Sequence, residues 1–134
     1  MRKFPVLSMI AVALLFAITP NAYAEYPVNG YVEYKYQTWS KQFLHDSSFG
    51  YSTLRTSCDN KTDSTQVVTL EYNDNGTWRP MRTSKFSCIL WKTDVIRWLH
   101  DSNGNILPTG YYRFHFTNNY GWGNSTTYSW YEVY

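Results

Sequence analysis

Charge is scarce in this sequence, cysteine scarcer, and long apolar runs are confined to one end. Charged side chains make up 16% of its 134 residues, with 12 basic and 10 acidic groups. The basic residues are scattered, and Arg79, Arg82 and Lys85 come closest to a patch. Nucleic-acid binding leans on clustered Lys and Arg that neutralise phosphates, so no nucleic-acid partner is expected. Only two cysteines are present, Cys58 and Cys88, far from a C-x-x-C spacing and without a second pair to complete a zinc site. The chain has no G-x-S-x-G elbow, since Gly50-Tyr51-Ser52 runs on into Thr53 and Leu54, and it has no H-E-x-x-H. It also lacks internal repeats, low-complexity tracts and any helical apolar stripe with caps.

What is there begins with a leader. Arg2 and Lys3 precede an unbroken apolar run over 9–18, Pro20 and Asn21 follow, and Ala22-Tyr23-Ala24 places small residues around a cleavage point. That order is the n-region, h-region and A-x-A site of a secretory signal peptide. A spanning helix needs about 20 apolar residues, so no stable membrane insertion is expected. The reading is a signal peptide over 1–24, cleaved after Ala24, and one secreted, extracellular β domain over 25–134. Loss of Arg2 and Lys3 leaves ten charges of each sign, a neutral domain. In an oxidising compartment the remaining pair Cys58 and Cys88 reads as a disulfide, which staples a chain of modest core.

Period-two alternation broken by turn chemistry dominates the rest. Over 31–39, Val32, Tyr34 and Tyr36 face one way and Glu33, Lys35 and Gln37 the other. Strands are predicted over 49–58 and 66–72, the latter with Val68, Leu70 and Tyr72 on one face. Asn73-Asp74-Asn75-Gly76 makes a hairpin turn, because Asn and Gly accept positive φ. The return strand over 77–81 contains Pro80, which confines it to an edge or a strand end. Further strands are predicted over 86–91, with Phe86, Cys88 and Leu90 on one face, and over 95–100. Two more follow, over 111–117 with Tyr112, Phe114 and Phe116 on one face, and over 126–134. Residues 40–48 allow a short helical turn at most. Seven or eight short strands at this spacing predict an all-β fold: an Ig-like two-sheet antiparallel β-sandwich with one disulfide, a barrel being the second choice.

One stretch carries a resemblance. In 96–112, Trp98 is followed by Asp101-Ser102-Asn103-Gly104-Asn105, then Pro108, Gly110 and Tyr112. This resembles the hairpin of Ig-like modules in flagellar-hook capping proteins and bacterial secretion-tail domains. The resemblance implies an Ig-like sandwich in which Asn103-Gly104 turns the chain, Gly110 clears space and Tyr112 plugs the core. It covers under a fifth of the chain and brings no catalytic residues.

Chemistry offers less. The histidines His45, His100 and His115 lie far apart, although His100 and His115 would face each other across a hairpin at 96–112. His45-Asp46 are adjacent, and adjacent residues seldom point at each other. Asp94, Asp101 and Glu132 show no paired setting of the kind glycosidases use. Asp101-Ser102-Asn103-Gly104-Asn105 departs from a calcium loop, with Gly fourth and Tyr112 at the twelfth position. No catalytic residues, metal or cofactor are therefore expected, and the domain reads as non-enzymatic.

Aromatics are the surplus, at 19% of the chain. They are densest at the end, where Tyr128, Trp130 and Tyr134 share one strand face and Tyr131 and Val133 the other, with Trp122 just before. Core filling and cross-strand pairing account for some of them. Tyr and Trp also suit binding surfaces, with an apolar face and a polar handle. The expectation is a secreted binding module. It would recognise carbohydrate, a cell-envelope surface or an extracellular protein through Trp122, Tyr128, Trp130 and Tyr134. The alternative is a secreted effector: an antimicrobial protein, a toxin or an inhibitor of an extracellular enzyme. Oligomeric state is open.

Overall fold

The computed structural model describes residues 28–61, 64–118 and 126–134. The expected leader and Trp122 lie outside the described residues. Among the described residues nine strands follow one another: β1 Val28–Tyr34, β2 Gln37–Trp39, β3 Phe43–His45, β4 Ser52–Asp59, β5 Thr65–Asp74, β6 Thr77–Ser87, β7 Thr93–Trp98, β8 Gly110–Asn118 and β9 Thr127–Val133. A 3-10 turn, Ser47–Phe49, sits between β3 and β4, with the Asp46 carboxylate accepting from the Ser48 N–H. One sheet has the order β1-β9-β4-β7 and the other β2-β8-β5-β6, with β3 also on β8. Every pairing is antiparallel. The arrangement is a two-sheet β-sandwich and not a closed barrel.

Alternation explains which faces meet. Tyr112, Phe114 and Phe116 on β8 and Val68 and Leu70 on β5 are fully buried, as are Leu54 on β4 and Phe43 on β3. Trp98, Tyr131 and Val133 close the core from the other sheet. The rings pack mostly tilted or edge-on, as ring quadrupoles favour: Phe114 lies 5.4 Å from Trp98, and Phe116 lies 5.8 Å from Tyr131. Cys58 at the end of β4 and Cys88 just after β6 are joined in a disulfide that ties one sheet to the other.

The hairpin turn forms as its residues dictate. Asp74 pairs with Thr77, and Asn75 and Gly76 between them take φ of 51° and 92°. The strand after it continues past residue 81 to Ser87, longer than alternation implied. Pro80 does lie on an edge strand. Leu70 pairs with Arg82 and Glu71 with Pro80, so Met81 is a bulged residue without a partner on β5. The loop before β8 reaches across it, and the Ser102 N–H donates to the Met81 carbonyl at 2.8 Å.

Three expectations are corrected. The stretch 31–39 is not one strand: the chain bends at Lys35 and Tyr36 and changes sheets, so Val32 and Tyr34 face the core while Tyr36 is exposed. Leu90 does not join Phe86 and Cys88 inside. Cys88 ends the ladder, Leu90 and Trp91 turn back with φ of 46° and 60°, and Leu90 is 82% exposed. Residues 96–112 are not a hairpin, because β7 and β8 lie in different sheets and only His100 and Ile106 bridge between them. Locally the segment behaves as the resemblance implied. Asp101 accepts the Asn103 and Asn105 N–H groups, and Tyr112 is buried with its hydroxyl on the Pro108 carbonyl. A Cβ at Gly110 would sit 2.7 Å from the Tyr72 ring.

Candidate functional site

The strand β9 lies inside its sheet, between β1 and β4, and its alternation divides its side chains sharply. Thr127, Ser129, Tyr131 and Val133 are buried, while Tyr128, Trp130, Glu132 and Tyr134 point to solvent. The inward set explains why this face is fixed. Tyr131 and Val133 fill the core, Ser129 and the Thr56 hydroxyl lie 3.1 Å apart, and Thr127 donates to Asn118 while accepting from Asn60. A one-residue slip would bury Tyr128 and Glu132 and strip all of these bonds.

Register then assembles the outer surface. Tyr31 on β1 stands directly opposite Trp130, and Ser57 on β4 flanks Trp130 on its other side. Tyr128 lies between Glu33 and Asp59, and Glu132 between Asn29 and Arg55. Directly opposed side chains in antiparallel strands have Cβ atoms about 5 Å apart, so Tyr31 and Trp130 form adjoining surface. Tyr31 is 56% exposed, Tyr134 51% and Tyr128 37%, with Trp130 half-buried among them. A shallow open depression lined by Asp59, Asn60, Lys61, Thr126 and Tyr128 adjoins the Tyr128 end.

The charges on this face are mixed. Glu33, Asp59 and Glu132 are set against Arg55, whose guanidinium lies 3.9 Å from Glu132, with Arg97 exposed on β7 and Lys61 at the adjoining depression. Desolvation raises the Tyr31 phenol above its ordinary value, with the charges of Glu33 and Tyr128 adding to it. The phenol therefore stays neutral and serves as a hydrogen-bonding rim on an apolar ring. Aromatic faces beside carboxylate acceptors can stack an apolar ring face and take hydroxyl donors from it.

The structure thus gathers Tyr128, Trp130 and Tyr134 on one solvent face. Sequence reasoning missed Tyr31, because a cross-strand neighbour a hundred residues away leaves no local mark. Its parity with Glu33 was the available clue to its outward direction. The residues weighed for chemistry are kept apart. His45 is buried edge-on to Tyr112, 5.5 Å between rings, while Asp46 turns away to cap Ser48. His100 bridges Ile106, and His115 lies on β8 opposite Trp39. Asp94 accepts from the Ser87 N–H and Asp101 from its own turn. Among the described residues, no group of three or more His, Cys, Asp or Glu side chains could hold a metal ion.

No family model matches the chain, and no curated protein does. Among solved structures, the crystal structure of FlgD from P. aeruginosa is similar with a TM-score of 0.48 and 20% identity, over 81% of this chain and 76% of that one. Similarity at this level carries nothing about function.

Proposed function

We propose that this protein is an exported, non-enzymatic binding module that holds a neutral polysaccharide or cell-envelope surface on the outer face of β1-β9-β4. The observation that carries the reading is the opposed pair Tyr31 and Trp130, with Tyr128 and Tyr134 on the same exposed face. Large aromatic side chains left in water at neighbouring positions are what binding surfaces use, since they supply area at low entropic cost. The carboxylates of Glu33, Asp59 and Glu132 beside them are acceptors for sugar hydroxyls. The test is retention of the oxidised protein on insoluble peptidoglycan, chitin and cellulose, with Tyr31→Ala/Trp130→Ala alongside. Retention that the double variant loses supports the reading, and equal retention of both proteins removes this site.

A second reading, a secreted effector, is favoured by one observation. Ile89, Leu90 and Trp91 protrude together on a turn in which two bulky residues hold positive φ. Such backbone strain is kept where surrounding structure enforces it, often at a docking point. Growth-inhibition and protease-inhibition assays with Leu90→Asn as the control test this reading.

A further inference from the structure

The opposite sheet carries a second group of residues far apart in sequence. On its outer face Trp39 of β2, His115 and Arg113 of β8, Glu71 of β5 and Trp78 of β6 converge. Arg113 is opposite Glu71 in the ladder and donates from Nε to Glu71 Oε2 at 2.6 Å. The other oxygen of Glu71 lies 3.3 Å from His115 Nδ1, and Gln37 closes the second ring nitrogen at 2.9 Å. His115 stacks on Trp39 with centroids 4.6 Å apart and planes 9° from parallel. The Arg113 guanidinium lies 4.2 Å from the Trp78 ring and 5.2 Å from the Trp39 ring. The guanidinium is therefore held by a carboxylate and lies close to two indoles.

Three features of this arrangement bear on a ligand. First, among the described residues the Arg113 amino groups Nη1 and Nη2 meet no hydrogen-bond acceptor, although Glu71 fixes the plane they lie in. A planar fork of free N–H groups is a ready donor for an oxygen acceptor. Second, Glu71 already balances the charge of Arg113, and its side chain is only 12% exposed. A carboxylate or phosphate entering the fork would meet that carboxylate across one guanidinium, so the favoured acceptor is a neutral carbonyl. Third, His115 covers part of Trp39, yet the residue remains 41% exposed, which leaves indole surface for an apolar ring face.

We infer that Arg113, between Trp39 and Trp78, forms a binding site for a neutral amide-bearing sugar of the N-acetylhexosamine type. The amide carbonyl accepts from the Arg113 fork, and the sugar ring and methyl group lie on the indoles. The site stands apart from the Tyr31 and Trp130 surface, being on the other sheet, and does not need it.

The experiment is calorimetric titration of the oxidised protein with soluble N-acetylglucosamine oligomers, and with glucose and galacturonate oligomers of equal length. Arg113→Lys keeps the charge and its attraction to Glu71 but removes the fork. It should weaken N-acetylglucosamine binding by about 10-fold or more, the worth of a charge-assisted hydrogen bond. The glucose oligomer should bind the parent about as weakly as the acetylated one binds Arg113→Lys. The same titrations in a Tyr31→Ala/Trp130→Ala background, which removes the other proposed surface, should show the same fold-loss on Arg113→Lys. Because the cluster also braces the sheet, Trp78→Phe serves beside it. It keeps the ring on Arg113 and should retain the preference for acetylated over plain sugar, which a purely bracing role would not create. Equal binding of acetylated and plain sugars, tighter binding of the uronate, full affinity in Arg113→Lys, or no binding of any sugar would each overturn the inference.

Discussion

Gly30 lies directly beneath the phenol of Tyr131. The two residues are paired across β1 and β9, and a Cβ built on Gly30 would come within 2.5 Å of the Tyr131 hydroxyl. The ring has nowhere to go, because it is buried and its oxygen accepts the Lys41 N–H at 2.9 Å, on the connection between β2 and β3 of the other sheet. A glycine within a strand often marks such a close approach. Gly30→Ala should therefore destabilise the fold by about 1–3 kcal/mol, the range for overpacking a filled site. Tyr131→Leu in the same chain should make the two changes less than additive. Urea denaturation of the four proteins measures both quantities, and a neutral Gly30→Ala would show that Tyr131 is free to shift.

The disulfide predicts a second loss. Cys58 and Cys88 are 30 residues apart and join the two sheets. Closing a loop of that size removes about 3–4 kcal/mol of unfolded-chain entropy in the loop-closure model. Cys58→Ala/Cys88→Ala, or reduction before denaturation, should lower stability by that order. Identical denaturation curves for oxidised and reduced protein would place the stabilisation elsewhere.

Acid should act through His45. Its ring is buried and its Nε2 has no hydrogen-bond partner among the described residues. Burial lowers its pKa below the ordinary value of 6.5, and Asp46 opposes this only in part. His115 shifts in the same direction, chiefly from burial, with Glu71 opposing and Arg113 adding. Below about pH 6.5 the unfolded chain takes up protons that the folded chain refuses. Stability is therefore full above that pH and falls as pH drops through the folded values. Asp46 and Asp101 are lowered by hydrogen bonds to Ser48 and Asn105 respectively, so their contribution is lost at lower pH still. Thermal melts at pH 8, 6 and 5 should show the decline, and His45→Phe should flatten the part between 8 and 5. An unchanged slope in that variant would clear His45 of any role.

The turn at Leu90 offers a gain. A bulky side chain at φ of 46° costs about 1 kcal/mol relative to glycine there, because its Cβ crowds the following carbonyl. Leu90 is held in place by the Asp59 carboxylate at its N–H and by the neighbouring Trp91 N–H on the Cys58 carbonyl. Leu90→Gly keeps those bonds and should raise the melting temperature by a few degrees. A fall would mean that the leucine side chain packs against something that its exposure conceals.

Much of the sandwich was legible because burial imposes period two. Val68 and Leu70, and Tyr112, Phe114 and Phe116, could be placed inside from their spacing alone. Asn75-Gly76 announced its own turn, and Pro80 its edge. The failures share a cause: a local pattern carries no information about which sheet a strand joins. Tyr36 continues the alternation of Val32 and Tyr34, but the chain has already left the first sheet. The motif from Trp98 to Tyr112 resembled a hairpin, but its two flanking strands belong to different sheets. The two aromatic surfaces were legible only to the extent that they are contiguous. Tyr128, Trp130 and Tyr134 could be read along one strand. Tyr31 could not, nor could the group of Trp39, Glu71, Trp78, Arg113 and His115, because pairing of distant strands alone brings them together.

The bulge at Met81 governs how copies of this molecule can meet. An open strand of eleven residues is long enough to template growth of one sheet from molecule to molecule, as in fibrils. Here the template is interrupted at its middle. Pro80 offers no N–H, the Met81 carbonyl is already taken by Ser102, and Arg79, Arg82 and Lys85 bring like charges to any second copy arriving in parallel. Concentrated solutions should therefore resist fibre formation along β6, and Pro80→Val combined with Arg82→Val would remove two of those obstacles from the open edge.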